Sequence, residues 1–446
     1  MAELKAEDFS PGLPDRVMRK AQLRLLPFLL IAYLIAIVDR INISFAAETM
    51  NRDLGFTATV YGFAGGIFFV SYALLEVPSN MAMMRFGARV WVTRIMISWG
   101  VLSAALMFLT TPMQYYVLRF LLGAAEAGFF PAVLYYASTW FPTQWRARVV
   151  SRFYVAQPIT QIVMGLVSAP ILGLEGVMGL HGWQWLFLIE GVPAIVMGLI
   201  IWRYLPDSPD KVSWLASDER RWLTGALAAD AAASGAAHGS VIKAISDRRV
   251  LGFGLAWLFF VGSVNAYYNS MPSIIAAKTG MDITRIGQFT VVGGLIGVAM
   301  LLGLGWHSDR RQERYWHMLV PWAIVAAAFA LLSLATSPTP AIIAAVLIFA
   351  FYLSSQPAFY AALTEGLHER HRAVSIAAVN TFGQFGAFVS ISALGVSRDA
   401  TGSYDMGLAA IAVCVAIGVF LMNMLRRQAR RDEVRGRLSS PVEGIS

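Results

Sequence analysis

Among the ionisable residues inside long apolar runs, four could do chemistry: Asp39 and Arg40, adjacent in IVDRINISFAA, and Arg119 and Glu126, both in RFLLGAAEAGFFP. A charge at mid-depth in a bilayer costs about 3 kcal/mol on insertion scales, so such residues face a partner or a wet cavity. Arginine stays charged and offers a planar fork that matches a carboxylate in two parallel hydrogen bonds, which suits Arg40 to capture of an organic anion. An acid near such an arginine feels two opposing influences, desolvation and the guanidinium field, and that balance makes it tunable as a carrier of protons. The plainer alternative is an ion pair that only holds helices together. Arg119 and Glu126 are seven residues apart, close to two helical turns, which places them on one face with about 10 Å of rise between them.

The elements that position these residues must be membrane helices. Of 446 residues, 57% are hydrophobic and 14% charged, where ordinary soluble domains carry about 25% charged residues. Runs long enough to cross a hydrocarbon layer of about 30 Å lie near 26–47, 60–83, 90–110, 114–140, 148–173 and 183–204, and again near 250–277, 287–306, 317–336, 340–363, 373–396 and 407–424. The expected fold class is therefore an all-α integral membrane protein with twelve transmembrane helices in two pseudo-symmetric six-helix bundles. The organisation predicted is a cytoplasmic N-terminal segment over 1–25, a first bundle over 26–204, a cytoplasmic linker with an amphipathic helix (SWLASDERRWL) over 205–249, a second bundle over 250–424 and a basic cytoplasmic tail over 425–446.

Charge sets the orientation. Of the 35 lysines and arginines, 29 fall in segments on the side of the N-terminus, four on the other side (Arg52, Lys278, Arg285 and Arg398) and two in apolar runs. Cytoplasmic loops hold the excess of positive charge, so both termini are placed in the cytoplasm, in an inner membrane. The net charge of +8 is thus a matter of topology and lipid, and no nucleic-acid partner is expected. A single cysteine, Cys414, in the last apolar run excludes a disulfide or zinc framework. The six histidines (181, 238, 307, 317, 368 and 371) lie in or beside loops and show no metal-ligand pattern in an apolar run. No metal, no cofactor and no enzyme activity are expected.

An internal repeat appears when the halves are compared. NMAMMRFGAR holds Arg85, Gly87 and Arg89, and GWHSDRRQER holds Asp309, Arg310 and Arg314; Arg85 to Arg310 and Arg89 to Arg314 share one offset, 225 residues. Two copies of a six-helix unit form the plan of an alternating-access transporter. Together with Gly305, these residues resemble the gating-loop motif of the major facilitator superfamily. The earlier copy departs at Asn80, where that family prefers Gly, and at Met84, where it prefers Asp. DRINISFAA, RFLLGAAEAGFFP, WQWLFLIEG and LPDSPD narrow the likeness to the anion:cation symporter group, resembling bacterial tartrate and phthalate permeases.

The resemblance implies that Arg40 binds the substrate carboxylate, that Asp39 and Glu126 are proton sites and that Arg119 tunes one of them. Glu126 is expected to be the main coupling site, and Asp39 to stay ionised and pair with Arg119. Tyr72, Gln157, Asn265, Tyr268, Asn380 and Gln384 complete the candidate substrate-binding set, with neutral groups in the second half suiting a small hydroxylated or aromatic acid. Glu76 and Glu190 read as buried acids that bond to a neighbouring helix or loop. The implied function is secondary active transport, by proton-coupled uptake of a small organic anion such as a hydroxy-dicarboxylate, sugar acid or aromatic carboxylate. The expected partners are that anion, protons and the lipid bilayer, and the expected state is a monomer. A proton-independent facilitator or exchanger, or a transporter-like sensor, would use the same fold.

Overall fold

Within hydrocarbon a chain must satisfy its backbone polar groups internally, and a helix does so along its whole length. The computed structural model describes residues 12–234, 247–365 and 369–439, and among them twelve helices are long and apolar enough to cross a membrane. The first six spans are Leu13–Leu54, Ala58–Phe86, Ala88–Phe108, Pro112–Ser138, Val155–Leu172 and Gly182–Tyr204. The second six are Arg248–Thr279, Ile283–Arg311, Trp316–Leu334, Pro338–Thr364, Val374–Thr401 and Asp405–Arg431. This is an all-α integral membrane protein. The first helix starts at Leu13 and runs through the basic stretch before its apolar run. Most of the alanine- and glycine-rich part of the linker, with His238, and the end of the tail lie outside the described residues, as does His368.

Three spans depart from plain α-helix. The fourth, whose apolar run from 114 to 140 predicts one unbroken helix, divides: one segment is Pro112–Glu126 and the next is Phe129–Ser138. Gly128 sits between them at φ 83°, a left-handed conformation that glycine alone adopts freely. The seventh contains a π-helical turn over Leu258–Gly262, a form that recurs at functional sites. The tenth passes through a 3-10 turn, Leu353–Ser355, into Gln356–Thr364, and Pro357, which has no backbone N–H to donate, interrupts the regular ladder there.

The chain divides into two compact units. One comprises Met1–Ala237 with Asn269–Ala276 and Met281–Leu295, and the other His238–Tyr268, Ala277–Gly280 and Ile296–Ser446. In the first unit, glycines set how closely the spans cross. A Cβ on Gly100 would lie 2.7 Å from the Gly191 carbonyl oxygen, and one on Gly191 would lie 2.7 Å from that of Gly100, so the third and sixth spans meet backbone to backbone. Gly123 in the fourth span likewise abuts the Phe68 carbonyl and Ser71 of the second. The linker helix Ser217–Ser234 is tied to the start of the first span by Lys20, whose Nζ donates to Glu219 Oε1 at 2.6 Å and Oε2 at 2.9 Å.

The second unit is centred on stacked aromatic rings. Phe260 lies on Trp322 with centroids 3.9 Å apart, and Trp257 on Phe359 at 4.1 Å. Gly262 in the π turn faces Gly386 with only 2.6 Å between its would-be Cβ and the Gly386 Cα. Small residues at such crossings let membrane helices gain packing contact where no hydrophobic effect drives them together.

Candidate anion and proton site

The glycine crossings bring the charged residues of the first unit into one cluster. Gly123 draws the fourth span against the second, which puts Arg119 and Glu126 beside Phe68 and Tyr72. Arg40 reaches across from the first span: its Nε donates to Glu126 Oε1 at 2.5 Å, its Cζ stands 4.8 Å from the centre of the Tyr72 ring, and it lies 5.8 Å from that of Phe68. Arg119 holds Phe68 at 4.7 Å, so the two guanidinium groups share one aromatic ring. Such contacts contribute about 2 kcal/mol or more when desolvated.

The ion pair is unequal. Arg40 leaves 33% of its side chain exposed, and Glu126 none. Glu126 Oε2 is buried with no hydrogen-bond partner. Glu126 also ends its helical segment, where the backbone dipole opposes a negative charge. The break that follows is held by other side chains: Ser79 Oγ donates to the Ala127 carbonyl at 2.6 Å, Trp91 Nε1 donates to Ser79 Oγ at 2.9 Å, and Arg94 donates to the Ala125 carbonyl at 3.3 Å. Nothing in the apolar periodicity announces these partners, although Glu-Ala-Gly ahead of Pro131 marks where a helix can break.

The expected pairing of Asp39 with Arg119 is not what the structure shows. Asp39 is buried and accepts from Ser103 Oγ of the third span and, at 3.4 Å, from Asn42 Nδ2 one turn on. Arg119 instead donates from Nε to the Ala64 carbonyl at 3.4 Å, and among the described residues it makes no ion pair. The physical reason is the Gly100–Gly191 crossing, which presents Ser103 to Asp39 and leaves Arg119 turned to the second span. Gln157 faces the Tyr33 hydroxyl. Glu190 is also buried, its oxygens lack a hydrogen-bond partner of ordinary length, and the Asn42 amide of the first span lies beside it.

The second unit holds the uncharged candidates. Asn265 Nδ2 donates to the Val261 carbonyl at 2.8 Å, which occupies it within its own span. Asn380 Oδ1 accepts from the Tyr360 hydroxyl at 2.8 Å, and Gln384 lies half-buried one turn further. The Tyr268 hydroxyl is buried without a partner beside Tyr352, at 5.1 Å between centroids. Tyr360 and Tyr352 have no distinguishing signal in the sequence.

The two copies of the gating-loop motif make different contacts. Gly87 caps the second span and opens the third at φ 87°, and Arg89 pairs with Asp207 of the linker at 3.2 Å. Arg314 pairs with Asp309 at 2.6 Å and Glu365 at 3.1 Å, and also donates to Ser308 Oγ. Those two acids hold its guanidinium above the ordinary arginine range against the opposing influence of burial. Arg85 and Arg310 both lie over a neighbouring ring, Phe86 at 5.6 Å and Trp306 at 5.4 Å. A Cβ at Gly305 would meet nothing.

At the end of the first span and in the loop before the sixth, Asp53, Glu175 and His181 gather with ligand atoms within 4.8 Å of one another, a grouping that the histidine spacing does not reveal. Their atoms are spent on the loop itself: Glu175 accepts from the Gly182 amide at 2.7 Å, Asp53 accepts from Trp183 Nε1 at 3.1 Å, and His181 Nδ1 stands 2.8 Å from Glu175. The Gly182 amide first, and His181 second, hold the Glu175 carboxyl below the usual glutamate value.

Comparison with known proteins adds to this geometry. The sequence model of the Major Facilitator Superfamily matches residues 29–391. A protein named for tartrate transport, from Agrobacterium vitis, is 39% identical over 94% of this chain and 96% of its own. The inner membrane transport protein RhmT of Escherichia coli is 34% identical over 95% of this chain and 99% of its own. In fold, the chain is similar to a bacterial homologue of the human lysosomal transporter Spinster, with a TM-score of 0.74 and 17% identity over 95% of this chain and 99% of that one.

Proposed function

The chain belongs to the major facilitator superfamily, and on that premise we propose that it is a secondary active transporter that takes up a small organic anion together with protons by alternating access. The observation that carries this reading is the unequal pair of Arg40 and Glu126. Arg40 is bound by one buried carboxylate through one nitrogen and still exposes a third of its side chain. A substrate carboxylate approaching from water engages the fork in two hydrogen bonds and displaces Glu126.

A proton then joins Glu126. Once its arginine partner is taken, an ionised Glu126, fully buried at the end of a helical segment, has no compensation. The loaded site is closer to neutral, which lowers the cost of carrying it through the membrane. Tyr72 beside Arg40 positions the bound carboxylate, and Arg119, fixed by Phe68 and the Ala64 carbonyl, adds a steady positive field. The substrate class is a hydroxy-dicarboxylate or similar organic acid. Support comes from the guanidinium pair and from the relative named for tartrate transport. The Arg89–Asp207 and Arg314–Asp309–Glu365 contacts serve as latches of the gating loops.

The protein resides in the bacterial inner membrane with both termini in the cytoplasm, as the distribution of lysine and arginine supports. It works as a monomer, with membrane bundles over 26–204 and 250–424. Uptake of radiolabelled tartrate into proteoliposomes, with and without an inward proton gradient, tests the function. Accumulation above the outside concentration only with the gradient supports it; uptake indifferent to the gradient identifies a facilitator instead.

A further inference from the structure

Glu190 is one of the buried ionisable groups that this mechanism leaves unused. It lies in the sixth span, next to the glycine that crosses Gly100, and is 5% exposed. Neither oxygen has a hydrogen-bond partner of ordinary length, and the donor beside it is the Asn42 amide. The groups that face it are Asp39 and Asn42 of the first span. From the third span, Ser103 is committed to Asp39. Arg119 and Glu126 act on Asp39 from further off, and no cation stands within ion-pair distance of Glu190 among the described residues.

The donors are divided unevenly between the two acids. Asp39 receives Ser103 Oγ and Asn42 Nδ2, a pattern that fits an ionised acceptor. Glu190 has only the shared Asn42 amide beside it and no cation, and a buried carboxylate so thinly compensated is more costly than the neutral acid. A protonated Glu190 has an O–H to donate toward Asn42 Oδ1 or Asp39, and two facing carboxylates at this depth would repel each other.

We propose that Asp39 and Glu190 form a second proton-holding unit, in which Glu190 carries the proton, Asp39 the charge, and Asn42 bridges them. The inference rests on the proton-coupled reading above and adds to it one more proton per cycle. That proton leaves from a Glu190 oxygen to water, once movement of the first span against the sixth admits water to the pair.

Two measurements test it. The first is the ratio of protons to substrate, from the reversal potential of uptake in proteoliposomes. Glu190→Gln, which imitates the permanently neutral acid, should lower the ratio by one while exchange of internal for external substrate continues; an unchanged ratio overturns the proposal. The second is infrared spectroscopy of the purified protein, which needs no transport and no agreement about coupling. At neutral pH the band of a protonated buried carboxyl should be present, should disappear in Glu190→Gln and should survive in Glu76→Gln. Absence of the band in the unaltered protein overturns the assignment. If wild-type uptake ignores the gradient while the band behaves as stated, the coupling reading fails and the acid pair stands.

Discussion

Arg40 Nε and Glu126 Oε1 are 2.5 Å apart, and the carboxylate's second oxygen is buried with nothing to bond. The pair is therefore half-satisfied on the acid's side and half-open to water on the arginine's side, which is the arrangement an anion can invade.

Replacing Arg40 tests its role in capture. With Arg40→Ala, stabilisation of the purified protein by tartrate and related acids should vanish, as read in a thermal-shift series. Arg40→Lys keeps the charge and loses the fork. A charge-assisted hydrogen bond contributes roughly 1.5–3 kcal/mol, so affinity should fall by about 10- to 150-fold. Stabilisation that survives Arg40→Ala unaltered would remove the arginine from the binding site.

Glu126→Gln separates coupling from movement. Accumulation driven by the proton gradient should be lost, while exchange of labelled for unlabelled substrate continues. A variant that still accumulates substrate would place the coupling proton elsewhere.

The break after Glu126 predicts a stability effect. Gly128→Ala must hold a Cβ at φ 83° with Ser79 Oγ only 2.5 Å away, and backbone strain of this type costs about 1–3 kcal/mol. Ser79→Ala instead leaves the Ala127 carbonyl unbonded, at a cost of about 1–3 kcal/mol. Both variants should melt earlier in detergent, and Gly128→Ala should also weaken substrate binding, because it moves Glu126. Unchanged melting for both would show that the break is not held as described.

The sequence carried much of this and missed the rest for identifiable reasons. Twelve apolar runs are legible because lipid demands about 20 apolar residues per span, and Asp39, Arg40, Arg119 and Glu126 stand out because hydrocarbon penalises charge. Which acid meets which arginine is not legible. It depends on where Gly100 meets Gly191 and where Gly123 meets Phe68, and those registers leave no periodic trace. Ser103, Asn42 and Ser79 escaped notice because a lone small polar residue in a span has many uses. The surroundings of Glu190 were hidden in the same way, since Asn42 stands beside it while donating to Asp39.

Acid pH should loosen the linker helix. Burial pushes the Glu219 carboxyl up, but the Lys20 ammonium and the Ala216 amide bring it below the ordinary glutamate value. A lowered folded-state value means that the contact contributes fully above the ordinary glutamate range and is lost as pH falls through the lowered one. Backbone hydrogen exchange over Ser217–Ser234 should therefore quicken only at strongly acid pH, and Lys20→Met should bring the quickening to neutral pH. Exchange unaffected by Lys20→Met would show that the tie does not hold the helix.

The most direct measurement of the central claim is proton uptake on substrate binding, followed with a pH indicator when tartrate is mixed with purified protein in weak buffer. If substrate replaces Glu126 on Arg40, binding should draw protons from solution in the unaltered protein, and draw fewer in Glu126→Gln at equal occupancy. Binding to the unaltered protein with no proton drawn at any pH between about 5 and 8, where maximal protein stability usually lies, would contradict it.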